Sequence, residues 1–138
     1  MNWTLHIDPE VNCAFFKFFG TFRFGAMVEA MTEMLNHPDY RGGMNILRDI
    51  SDQPFPSDLT YKAITEENRR VTAEIDLKIG ECRFAIVVGD ARSYAVVHQY
   101  IVTGRLRKNP VERKPFRDME AAKEWLGLPA DYEIKYPN

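Results

Sequence analysis

The residues of this chain best suited to chemistry are small acids and hydroxyls gathered behind one apolar run. Met44 to Asp49 reads as a buried strand, and its carboxyl end opens into Ser51, Asp52 and, beyond two prolines, Ser57. In open α/β sheets ligands collect outside the carboxyl ends of strands. Asp49, Ser51, Asp52 and Ser57 are therefore the first expected ligand or regulatory loop. Asp90 and Ser93 stand in the same relation to a second apolar run. Carboxylates and hydroxyls could hold a hard cation, but three ligands on one loop without a distant partner make an incomplete cage; turn stabilisation is the plainer expectation. Ser57 precedes a helical pattern, so its hydroxyl is expected to cap a free amide there, a contribution of about 1 kcal/mol. The same position would also favour a phosphate. Asp90 and Ser93 are expected to cap the next helix, with a ligand contact as the alternative. His6, His37 and His98 are scattered, with no i,i+4 metal pair. Neither a Ser-His-Asp grouping nor a glycine-rich phosphate loop can be assembled, so no catalytic residue, metal or cofactor is expected.

The elements that must position these residues follow from periodicity. Thr4 to Asp8 and Cys13 to Phe19 read as strands joined by a turn at Asp8-Pro9-Glu10. Phe15, Phe16, Phe18 and Phe19 alternate onto both faces of the second strand. Phe24, Met27, Val28, Met31, Met34 and Leu35 recur at helical steps until Pro38. Gly42-Gly43 turns the chain into the strand Met44 to Asp49. Tyr61, Ile64, Val71 and Ile75 mark a long helix, with Asn68 on the same face and Gly80 as its stop. Arg83 to Val88 is continuous and branched, as a central parallel strand is. A helix follows from Arg92 to Thr103, with Gly104 ending it, then a short strand from Val111 to Phe116. Asp118 caps a last helix that Gly127-Leu128-Pro129 stops. Tyr132, Ile134 and Tyr136 alternate in the tail as an irregular strand would. The order β-β-α-β-α-β-α-β-α predicts an α/β fold with a mostly parallel five-stranded sheet and an antiparallel first strand.

Composition sets the outer limits. The 138 residues fit one domain, 1–138, and can bury roughly 70% of their unfolded surface without staples. A net charge of -2 gives no general attraction to nucleic acid or an anionic surface. The basic run Arg105 to Lys108 leads into Asn109-Pro110 and reads as a solvated connection. Cys13 and Cys82 lie in apolar runs with neither zinc nor redox spacing, so buried free thiols are expected. No apolar stretch approaches the ~20 residues of a membrane helix, and no signal core opens the sequence. A cytoplasmic location is the default expectation.

Two stretches carry a family resemblance. One is His37-Pro38-Asp39-Tyr40-Arg41-Gly42-Gly43-Met44-Asn45-Ile46-Leu47-Arg48-Asp49. The other is Pro115-Phe116-Arg117-Asp118-Met119-Glu120-Ala121-Ala122-Lys123-Glu124-Trp125-Leu126-Gly127. With Val87 to Tyr94 between them, the chain resembles the small bacterial proteins called SpoIIAA-like, of the STAS or CRAL-TRIO-like class. The resemblance implies a STAS-like fold and a non-enzymatic regulatory or protein-interaction module. Signalling members of that class carry Asp-x-Ser and then Asp-Ser-Ser/Thr-Gly, in which a hydroxyl takes phosphate from a partner kinase. Asp49-Ile50-Ser51 fits the first motif, whereas Phe55-Pro56-Ser57-Asp58-Leu59 replaces the second, so the phosphoserine switch is expected to be missing.

The alternative function is a carrier of a small apolar, lipid-like ligand, with Phe15, Phe16, Phe18, Phe19, Met27, Met31 and Met34 forming a pocket. The same second strand, apolar on both faces, suggests a two-fold homodimer if one face lacks cover.

Overall fold

Periodicity and punctuation produce nine elements among the described residues. They are β1 (Asn2–Asp8), β2 (Cys13–Phe19), α1 (Phe24–Leu35), β3 (Asn45–Ile50), α2 (Tyr61–Ile79), β4 (Cys82–Val88), α3 (Ala91–Gly104), β5 (Val111–Phe116) and α4 (Met119–Trp125). The computed structural model describes residues 1–104 and 109–137. The side chains of Tyr61, Asn68 and Val71 and the basic run Arg105 to Lys108 lie outside the described residues. No helix among the described residues is long and apolar enough to cross a membrane.

The predicted order holds, with boundaries moved by local hydrogen bonds. β3 begins one residue later than the apolar run, because the Met44 amide closes the Gly42-Gly43 turn onto the Arg41 carbonyl at 3.3 Å. The cap of α2 is a correction. Thr60 and not Ser57 is the N-cap, its hydroxyl accepting from the Ala63 amide at 3.2 Å. The Leu59 amide bonds back to the Pro56 carbonyl at 3.0 Å, which keeps Ser57 in a turn before the helix.

The sheet runs β1-β2-β3-β4-β5, with β1 antiparallel to β2 and every other pair parallel. Asn12 makes the hairpin possible by taking φ 52, a left-handed conformation that Asn tolerates. Each crossover steps to the next strand in the same direction. Right-handed crossovers of that kind put their helices on one face. The first core therefore joins Phe16, Phe18, Ile46, Phe84 and Ile86 to residues of α1, α2 and α3. The opposite face is left for the last part of the chain. There Cys13, Phe15, Leu47, Val87 and Phe116 pack against Ala122 and Leu126, with the tail alongside.

The tail finishes that second layer without joining the sheet. The Tyr132 ring stacks on Phe15 at 5.5 Å, and its hydroxyl donates to Asp8 Oδ2 at 2.7 Å. The Tyr136 hydroxyl donates to the Phe16 carbonyl at 3.2 Å. The bare face on which the homodimer expectation depended is absent from β2. Phe15, Phe16 and Phe18 are fully buried, and only Phe19 at the strand end is exposed, at 40%. The sequence pattern shows a strand that needs two covers; it does not show that the chain supplies both.

Candidate functional site

The carboxyl-end residues are brought together, and they are occupied with one another. Asp49 is buried and its Oδ1 accepts both the Ser51 amide, at 2.9 Å, and the Ser51 hydroxyl. Asp52 is exposed and pairs with Lys17 of β2 at 3.5 Å. Asp90 Oδ1 accepts the Ser93 amide at 2.7 Å, and Oδ2 accepts its hydroxyl at 3.1 Å. These bonds, the backbone one first, hold the Asp90 carboxyl below the usual aspartate range. Asp90 and Ser93 therefore start α3, as the sequence suggests. The two loops also meet through backbone: a Cβ on Gly89 would lie 2.3 Å from the Ser51 carbonyl oxygen.

Ser57 lies apart, exposed, in a loop that Arg92 grips. The Arg92 guanidinium donates to the carbonyls of Phe55, Pro56, Ser57 and Leu59 at 2.8–3.1 Å. No grouping of three His, Cys, Asp or Glu able to hold a metal occurs among the described residues. His6 stacks on Phe15, His37 accepts the Asp39 amide, and His98 stacks on Tyr94. Cys13 and Cys82 are free and buried, and burial is the main cause pushing both thiols up, Cys82 to about 11. They are expected to be unreactive packing groups.

A different place holds unspent chemistry. Between the sheet and the three crossover helices lies a cavity of about 80 Å³. Phe22, Phe24, Met27, Met31, Ile50 and Phe55 give it apolar walls, with Thr72 and Tyr100 adding two hydroxyls. The loop that Arg92 holds delivers Phe55, which meets Phe22 edge-on at 5.6 Å; Phe22 in turn meets Phe24 at 5.1 Å. Of the residues expected to form a pocket, Met27 and Met31 line this one. Met34, Phe16 and Phe18 are sealed in the core beside it, Phe15 faces the other layer, and Phe19 points out at the strand end.

The cavity also contains two arginines and one aspartate. Asp76 of α2 is almost fully buried and receives a two-pronged bond from Arg113 of β5, both distances 2.8 Å. Asn109 donates to the same carboxylate at 2.6 Å. Burial alone depresses the Arg113 guanidinium, but the Asp76 bond and charge outweigh it, and the net direction is up. Arg48 has no such partner among the described residues. It sits on β3, the central strand, at the position that alternates with Ile46 and Ile50 towards the helices. Its guanidinium lies 4.8 Å from the Phe84 ring centre and 5.7 Å from that of Phe18. Among the described residues one terminal nitrogen reaches only the Met27 sulfur, at 3.5 Å, a weak acceptor. Burial first, then the nearby Arg113, push Arg48 down to about 10. It still carries its charge at neutral pH.

Three buried side-chain polar atoms lack a hydrogen-bond partner among the described residues: Tyr40 Oη, Arg48 Nε and Gln53 Oε1. Of their residues only Arg48 lines the cavity, and it alone is ionic. Sequence reasoning passes over Arg48 because it sits unremarked inside an apolar run. One signal was available. A strand covered on both faces has no polar side, so an arginine at its middle must meet something inside.

No protein-family model matches this chain, and neither a curated protein nor a solved structure matches it.

Proposed function

We propose that this protein is a small, non-enzymatic binding module that encloses a short apolar ligand between its sheet and its crossover helices. The observation that carries the reading is the apolar cavity behind Met27, Met31 and Phe55, in a layer where the neighbouring core is sealed. Its size restricts the occupant. A dry cavity of ~150 Å³ holds benzene, and drug-sized ligands need roughly 300–1,000 Å³. About 80 Å³ suits a body of a few carbon atoms. A full-length acyl chain does not fit without rearrangement, which narrows the lipid-like alternative to short molecules.

A regulatory or protein-interaction role, as the SpoIIAA-like resemblance implies, is the second reading. It is favoured by the exposure of Ser51 and Asp52 at the carboxyl end of β3 and of Ser57 in the loop that follows. The two readings share a residue. Phe55 belongs to that loop and to the cavity wall, so an occupant touches the segment a protein partner would read. A homodimer through β2 is not part of the proposal, since its motive was a face that the chain's own tail fills.

Native mass spectrometry of the protein purified from its own host tests the first reading. The expected result is a retained small molecule, released on denaturation and lost after Met31→Trp, which fills the cavity. Protein that carries nothing, and that gives no chemical-shift changes at cavity residues with any short apolar compound, overturns it. Stoichiometric phosphate on Ser57 in the same spectra would instead establish the switch that the missing motif argues against.

A further inference from the structure

We propose that Arg48 is the polar anchor of this cavity and that the ligand is a compact organic monocarboxylate with an apolar body. The inference rests on the binding reading above and names the ligand's class. The charge count points to it first. Arg113 and Asp76 neutralise one another in a two-pronged pair that Asn109 completes, so the carboxylate of Asp76 has little left to offer. Arg48 brings one further positive charge, with no carboxylate bonded to it among the described residues, to a cavity with mostly apolar walls. Arg48 is half-buried, but its Nε is shut away from water without a partner, and a charged donor left so is costly and is normally answered by an opposite charge.

The geometry of the free donors points the same way. Phe84 and Phe18 hold the guanidinium by their ring faces, which accept no ordinary hydrogen bond. That leaves Nε unpartnered and one terminal nitrogen with only a thioether. The planar donor fork of arginine, with Nε on its edge, matches the two oxygens of a carboxylate. One cation uncompensated among the described residues balances a monoanion. A phosphate monoester carries about -1.5 to -2 at neutral pH and would bring excess negative charge among Phe22, Met27 and Ile50. The rest of the lining asks for carbon, and the volume limits that carbon to roughly three atoms.

Butanoate, 1-butanol and butyl phosphate, titrated separately into the full-length protein and followed by two-dimensional NMR, decide the matter. The expected result is saturable shifts at cavity residues with butanoate at least about tenfold tighter than 1-butanol, the size of a charge-assisted hydrogen bond. Arg48→Met should fold, keep 1-butanol binding and lose the tenfold preference. Arg48→Lys, which keeps the charge without the fork, should retain only part of it. Equal affinity for butanoate and 1-butanol in the wild type overturns the anchor while leaving an apolar-ligand module standing. Tighter binding of butyl phosphate overturns the carboxylate class. Failure of all three probes to perturb the cavity overturns the binding reading itself. If Arg48→Met does not fold, the wild-type ratios and the Arg48→Lys variant decide alone.

Discussion

The rim at the carboxyl ends of β3 and β4 and the cavity beneath the crossover helices hold similar numbers of polar groups and use them oppositely. At the rim, Asp49 is bonded to Ser51, Asp52 to Lys17 and Asp90 to Ser93. In the cavity, Arg113 is bonded to Asp76, but Arg48 faces rings and a sulfur. The rim has the residue types that usually do chemistry, already engaged in making turns and caps. The cavity has as many polar groups, and one of them, Arg48, is unengaged among the described residues. What marks a site is a group whose bonding capacity is left over, because that residue of capacity is what a ligand can use.

The contrast between an engaged and an unengaged arginine predicts the largest effect. Asp76→Asn removes the charge that Arg113 is buried against, leaving two unmatched cations close together. It should destabilise the protein by about 3–5 kcal/mol in chemical denaturation. A loss below about 1 kcal/mol would show that the two arginines are not distinguished by pairing. The rim is tested next by its backbone contact. Gly89→Ala places a Cβ against the Ser51 carbonyl, with no flexible side chain to yield, and should cost about 1–3 kcal/mol in the same measurement.

Smaller effects separate caps from bystanders at the rim. Thr60→Ala should cost about 1 kcal/mol, whereas Ser57→Ala should stay within about 0.5 kcal/mol. Equal losses would return Ser57 to the role its position suggests. Asp90 adds a pH signature. Its folded carboxyl lies below the unfolded value of about 3.9, so its stabilisation is fully present above that value and is lost as pH falls through the lower folded one. The stability gap between wild type and Asp90→Asn should therefore hold at neutral pH and close in acid; a gap independent of pH would show that the charge of Asp90 is not used. The smallest effect is expected at the most functional residue. Arg48→Met in the empty protein should leave stability unchanged or raise it slightly, since an apolar group of similar length replaces an uncompensated charge. A loss as large as that of Asp76→Asn would mean that Arg48 is as fully engaged as Arg113, and the contrast between them would fail.

Much of the architecture was legible in local pattern. The run Phe84 to Val88, the methionine steps of α1, the glycine at position 80 and the cap at Asp118 each act over a few residues, so spacing alone reveals them. Alternation even showed that β2 needed cover on two faces. The cap of α2 was misplaced because Ser57 and Thr60 are both good caps, and the choice between them depends on where the Pro56 turn ends.

What tertiary structure decided was which groups meet. Strand order, the passage of three crossovers to one face and the docking of Tyr132 and Tyr136 on the other are contacts between residues far apart in sequence. Arg48, Asp76 and Arg113 come from β3, α2 and β5, and no local rule says that the aspartate bonds to one arginine and not to the other. Residue type sets how many hydrogen bonds and charges a side chain has to offer. Only the packed chain determines which of them are used up, and the one left over at Arg48 is a property of the fold.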